Sequence, residues 1–76
     1  MKELVELIAK SLVDSPEKVE VREVEDNNSV ILELQVDPED MGKVIGKQGK
    51  IARAIRTLTK AAAAKEGKRV SVEIMR

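Results

Sequence analysis

Val44-Ile45-Gly46-Lys47-Gln48-Gly49-Lys50-Ile51 is the stretch that decides how this chain of 76 residues is organised. Two glycines three apart stand between apolar residues, with Lys47 inside the turn and Lys50 just after it. Glycine admits backbone angles and close approaches that other residues resist, and a turn that opens a helix can bring N–H groups to an anion. The residues that follow predict that helix, from about Lys50 to Lys65. Ile51, Ile55, Leu58 and Ala62 fall within about 60° of one another at helical spacing, and Lys50, Arg53, Arg56 and Lys60 fall opposite. Ala61 to Ala64 is strongly helix-forming, and Gly67 is a C-terminal stop. Upstream, Asp37-Pro38-Glu39-Asp40 starts a shorter helix: Asp37 caps, Pro38 suits the first turn, and the acids favour the positive end of the dipole. Gly46 ends it after about two turns, with Met41, Val44 and Ile45 as its apolar side. Asp37 and Asp40 are read as helix-start residues and not as metal ligands.

Working outward, Val30 to Val36 is the most apolar segment, and its continuous start places it in the centre of a sheet. Lys18 to Glu25 alternates Val19, Val21 and Val24 with charged residues, an acidic edge strand with an irregularity expected at Arg22-Glu23. Asp26-Asn27-Asn28-Ser29 is turn chemistry, so these two strands form an antiparallel hairpin. Lys2 to Val13 predicts an amphipathic helix with Leu4, Leu7, Ile8 and Leu12 on its apolar side, Val5 and Ala9 beside them, and Asp14-Ser15-Pro16 as its break. Val70, Val72 and Ile74 alternate with Ser71, Glu73 and Met75 in a last strand. A strand reached through helices is usually parallel to its neighbour. The expectation is an α+β fold in the order αββααβ, with a mixed three-stranded sheet and three helices on one face.

The formal net charge is zero, yet the charges are segregated. Residues 1–40 carry four basic and twelve acidic side chains, a balance of −8, whereas residues 41–69 carry nine basic side chains and the single acid Glu66, a balance of +8. Residues 70–76 add one of each sign, Glu73 and Arg76. The basic half calls for an anionic partner unless the two halves neutralise one another across the surface. No Phe, Tyr or Trp is present, which excludes base stacking on aromatic platforms. The absence of Cys and His removes disulfides, thiolate chemistry and the commonest metal ligand and general base. No cofactor or metal is expected. A Walker-type loop is set aside, because Gly46-Lys47 is not followed by Ser or Thr. No apolar run approaches the roughly 20 residues of a membrane span, and the acid-bearing N-terminus is unlike a signal peptide, so a cytoplasmic protein is expected.

Val44-Ile45-Gly46-Lys47-Gln48-Gly49-Lys50-Ile51-Ala52-Arg53-Ala54-Ile55-Arg56, with the short helix before it and the element order around it, resembles the KH domain in its type II arrangement. It fits the pattern I-G-x-x-G followed by an apolar residue and a helix. The resemblance spans residues 1–76 as a single KH domain, with the GxxG-containing core at about 30–75. The size and the wording around the turn are similar to the small bacterial KhpA (YlqC-like) family. The resemblance implies a single-stranded RNA-binding protein that clamps about four nucleotides at the GxxG loop. It also implies pairing as a homodimer, or as a heterodimer with a second KH-containing (KhpB-like) protein, together with RNA-chaperone or post-transcriptional roles and a link to cell shape. By the same analogy, backbone groups of about Val70 to Glu73 would read base edges.

The residues agree with that reading. Gly46 and Gly49 lack Cβ atoms and let a sugar-phosphate backbone approach. Lys47 and Gln48 protrude at the tip as donors to phosphate oxygens. Lys50 adds positive potential at the helix start, Arg53 extends the phosphate track one turn on, and Arg56 does so less directly. Ile45 and Ile51 flank the turn as an apolar floor for bases. Lys43, Lys60, Lys65, Lys68 and Arg69 are as consistent with solvated surface as with ligand contact. The second reading is a KH-fold interaction or scaffold module with little RNA affinity, against which the intact Gly46-Lys47-Gln48-Gly49 argues. No paired acid–base constellation supports an enzyme.

Overall fold

The chain runs as helix α1 (Lys2–Leu12), strands β1 (Glu20–Glu25) and β2 (Ser29–Gln35), helices α2 (Met41–Ile45) and α3 (Lys50–Lys65), and strand β3 (Arg69–Met75). The computed structural model describes residues 1–75; Arg76, counted in the charge balance, lies outside them. β2 is the central strand, antiparallel to β1 and parallel to β3. Val21, Val30, Leu32, Leu34 and Val72 project from one face of this sheet into the core, where Val5, Ala9, Val44 and Ile55 of the three helices meet them. Leu32 and Leu34 are fully buried, a burial that contributes about 1.5–3 kcal/mol for each such side chain. The opposite face, with Arg22, Val24, Ile31, Ser71 and Glu73, is exposed. The α+β architecture is the one expected.

Several details differ from the sequence reading. β1 begins at Glu20, because Pro16–Lys18 forms a turn of 3-10 helix. No irregularity interrupts it: Arg22 pairs with Glu33, Glu23 with Leu32 and Val24 with Ile31 in unbroken register. The alternation slips because Val24 lies on the open face beside Ile31, where an apolar cross-strand pair is still favourable. β2 is central, but its continuous apolar start has the same cause, since Ile31 is itself 39% exposed. In α1 the buried residues are Val5 and Ala9, while Leu7 is 66% exposed. In α3 they are Ala52, Ile55, Thr59 and Ala63, while Leu58 is 52% exposed. Both helices bury small side chains, Ala9 in α1 and Ala52 and Ala63 in α3, beside the larger Val5 and Ile55, and leave a leucine outside. Thr59 is tolerated there because its hydroxyl donates to the carbonyls of Ile55 and Arg56 at 2.9 and 3.0 Å.

The ends of the helices are as the residues dictate. Asp37 accepts from the Glu39 amide at 2.9 Å and opens a 3-10 turn, Pro38–Asp40, that leads into α2. α3 ends in paired bonds from Gly67 to Ala64 and from Lys68 to Ala63, the Schellman arrangement. Asp40 does more than start a helix. It is 2% exposed, and its carboxylate accepts the Asp14 and Ser15 amides at 3.3 and 3.1 Å. That fastens the turn after α1 to the start of α2, so the residues leading to the glycine turn sit on a fixed base.

Candidate nucleic-acid interface

The turn between α2 and α3 is a tight, mostly left-handed loop. Gly46 (φ 77°, ψ 171°), Gln48 (φ 58°, ψ 26°) and Gly49 (φ 74°, ψ 15°) all have positive φ. This curl directs the Gly49 amide to the Gly46 carbonyl at 3.1 Å and the Lys50 amide to the Lys47 carbonyl. Those two amides are therefore used within the loop, and the Lys47 and Gln48 side chains stand exposed at its tip.

The two glycines face different surroundings. A Cβ on Gly46 would lie 2.5 Å from Cγ1 of Ile51, so that position is closed from inside by packing. A Cβ on Gly49 would meet nothing within 4 Å. Gly49 therefore leaves its space open toward the outside, next to a cleft of about 410 Å³ walled by Ile45, Ala52, Arg53, Arg56 and Ile74. The structure brings Ile45, Gly49, Arg53 and Arg56 to this cleft, while Ile51 packs beneath Gly46 and against the core. Lys47, Gln48 and Lys50 do not form its wall. Ile74 was absent from the sequence reading of the site. Its signal was available, since it shares alternation with Val70 and Val72 on a strand now seen to be an edge.

Charge separates this region from the rest of the molecule. Lys10, Lys18, Arg22, Lys43 and Lys68 pair with Glu6, Asp37, Glu33, Asp14 and Glu25. Lys43 also lies 3.8 Å from the buried Asp40. The hydrogen bond to Asp14 holds the Lys43 ammonium above the ordinary lysine value, and hydrogen bonds to Asp37 and Glu25 do the same for Lys18 and Lys68. Asp37 is held below the usual carboxylate value, first by the Glu39 amide and then by Lys18. Neutralisation between the halves thus accounts for Lys43 and Lys68. It does not account for Lys47, Lys50, Arg53, Arg56, Lys60 and Lys65, none of which has an ion-pair partner among the described residues. No acid occurs between Asp40 and Glu66 to supply one.

α3 divides these features between two flanks. Arg53, Arg56 and Lys60 line clefts at the edge of β3. Ala54, Thr57 and the exposed Leu58 form an apolar strip on another side, bordered by Lys50 and Arg53. No group of three or more acids that could hold a metal occurs among the described residues, and no helix is long and apolar enough to cross a membrane.

The family described as KhpA/KhpB, KH domain, matches residues 2–74. The RNA-binding protein KhpA of Clostridium perfringens is 72% identical over 75 residues, covering 99% of this chain and 100% of its own. The protein of that name from Clostridium acetobutylicum is 69% identical with the same coverage. That of Aquifex aeolicus is 56% identical, covering 99% of this chain and 95% of its own. No solved structure matches the chain.

Proposed function

Because the chain belongs to the KhpA/KhpB KH-domain family, we propose that it is a non-catalytic single-stranded RNA-binding protein, one KH domain throughout, that grips about four nucleotides at the Gly46–Gly49 loop. The observation that carries this reading is the row of cations from Lys47 to Lys60, without ion-pair partners among the described residues, beside a loop whose second glycine opens outward. Lys47, Gln48, Lys50 and Arg53 take phosphates, since a charged donor on an anionic oxygen gives the stronger class of hydrogen bond. Bases enter the cleft over Ile45 and Ile74, with aliphatic contact and hydrogen bonds in place of stacking. The names of the related proteins, which describe RNA binding, support the same ligand.

About three to four phosphate contacts give a log-affinity slope of roughly −2 to −3 against log salt, a weak and salt-sensitive grip. A second linked site raises it without any new contact. Pairing with a second copy, or with a KhpB-like protein as the family name suggests, supplies that site. The exposed Ala54–Leu58 strip is apolar surface of the kind such pairing covers. The setting is the bacterial cytoplasm, in post-transcriptional regulation with RNA-chaperone activity bearing on cell shape. Replacing Lys47 and Gln48 together with Asp tests the clamp. Titration with short single-stranded RNA should show binding lost while the circular-dichroism melt is nearly unchanged; undiminished binding by the doubly substituted protein sinks the assignment.

A further inference from the structure

β3 is an edge strand whose backbone alternates in direction. The Arg69 amide donates to Asn28 and the Met75 carbonyl accepts from Val36, so residues of odd number turn their polar groups to the β2 side. Val70, Val72 and Ile74 accordingly turn their N–H and C=O groups to the free edge beside α3. One of these carbonyls is taken: Arg56 Nε donates to the Val72 oxygen at 3.2 Å. Arg56 also borders both clefts along this edge. One is the cleft at Gly49; the other, of about 420 Å³, is walled by Thr59, Lys60, Val70, Val72 and Glu73. Any base laid along β3 from the loop therefore meets Arg56.

An open strand residue offers one donor and one acceptor, which suits the Watson–Crick edge of adenine, with its ring acceptor beside an amino donor. The guanidinium changes that offer. Of its five N–H donors one is used on Val72, and the four on its two terminal nitrogens remain. No carboxylate among the described residues pairs with them. At Val72 the fork of Arg56 thus presents donors in the fixed geometry that matches two neighbouring acceptors, while the Glu73 carboxylate lies in the wall of the second cleft. Guanine has such a pair at O6 and N7, and cytosine at O2 and N3. Adenine sets an amino donor against the fork, and uracil separates its two acceptors by an N–H.

We propose that Arg56 selects the base in this groove, favouring guanine or cytosine over adenine and uracil at the position opposite Val72. This rests on the reading of the groove as an RNA site, and it assigns Arg56 to a base edge where a phosphate contact would carry no sequence preference. With no aromatic side chain in the protein, discrimination falls to hydrogen bonds of this kind. A good bidentate pair favours its own base by about tenfold at a solvent-open site.

The test is fluorescence titration of the full chain with labelled RNA heptamers: all-adenine, all-uracil, and all-adenine with one central cytosine or guanine, each at several salt concentrations. Wild type should bind the cytosine- or guanine-bearing heptamers about tenfold more tightly than the other two. Arg56→Lys keeps a charge but loses the fork, so it should bring these heptamers down to the all-adenine level while the salt slope holds. Equal affinity of wild type for all four heptamers overturns the proposal and leaves RNA binding standing. So does a preference retained in Arg56→Lys. Failure of wild type to bind any heptamer overturns the RNA reading itself and this proposal with it.

Discussion

Residues 40–46 and residues 47–56 adjoin in the chain and behave oppositely. In the first segment polar and apolar groups find partners inside the protein, except Ile45, which walls the cleft. Asp40 accepts two amides of the turn after α1, Lys43 pairs with Asp14, and Ile51 fills the space at Gly46. In the second, Lys47, Lys50, Arg53 and Arg56 have no carboxylate partner among the described residues, and the space at Gly49 is empty. The boundary between them is the turn itself. A group satisfied within the chain stabilises the fold, whereas a charge left unpaired next to a cleft contributes little to folding and remains available to an outside anion. The glycine pair divides in the same way: Ile51 fills the space at Gly46, and the space at Gly49 is open.

The contrast can be broken most directly at the glycines. Gly46→Ala should cost about 3 kcal/mol or more, adding backbone strain in a glycine-only region to a clash with Ile51. Gly49→Ala should cost only about 1 kcal/mol, from its left-handed φ alone. Denaturant midpoints of the two variants measure this, and equal losses would erase the distinction. Next, Asp40→Asn should destabilise by about 2 kcal/mol, because it weakens a buried, charge-assisted acceptor of two amides. RNA affinity measured well below the melt should hold, and a collapse of binding with an intact fold would move Asp40 into the interface.

Smaller effects sharpen the charge comparison. Lys50→Ala should lower affinity alike for all sequences and flatten the salt slope by about 0.7, with stability within about 0.5 kcal/mol of wild type. An unchanged slope makes Lys50 solvated surface. The paired lysines should respond to pH instead. The folded values of Lys18, Lys43 and Lys68 are raised, so their contribution is present below the ordinary lysine value of about 10.4 and is lost as pH climbs through the higher folded values. The folded value of Asp37 is lowered, so its contribution is lost as pH falls below the carboxylate range. Thermal melts from pH 9 to about 11.5 should decline slightly, the pairs being exposed, and Lys43→Met should flatten that decline. A decline of the same size in Lys43→Met would mean that this pair contributes nothing.

How much of this was legible follows from what is local. The period of the apolar residues located α1, α3 and the strands, and Asp37-Pro38 and Gly67 marked helix ends. What it could not set was the phase of a helix against its neighbour. Leu7 and Leu58 lie on the apolar sides read from the sequence and are exposed, while Ala9, Thr59 and Ala63 are buried. A leucine satisfies a hydrophobic pattern better than an alanine, but the packing of helix on sheet decides which positions of that pattern are covered. Val24 broke an alternation for a reason that its partner Ile31 supplies from another strand. At the site, the sequence located the loop and its cations but did not distinguish Gly46 from Gly49, or Ile45 from Ile51.

By itself, then, the sequence determined the elements, their order and the presence of a glycine turn set among cations. Backbone preference, side-chain period and charge are carried within a few residues, and the chain states them directly. The tertiary structure decided which cations remained free and which strand edge they flank. Lys68 meets Glu25 across 43 positions, Asp40 meets Ser15 across 25, and Arg56 meets Val72 across 16. Pairings at such separation depend on how the sheet and helices pack. Among the described residues, packing left Arg53, Arg56 and Lys60 without a carboxylate beside the edge where β3 has no neighbouring strand.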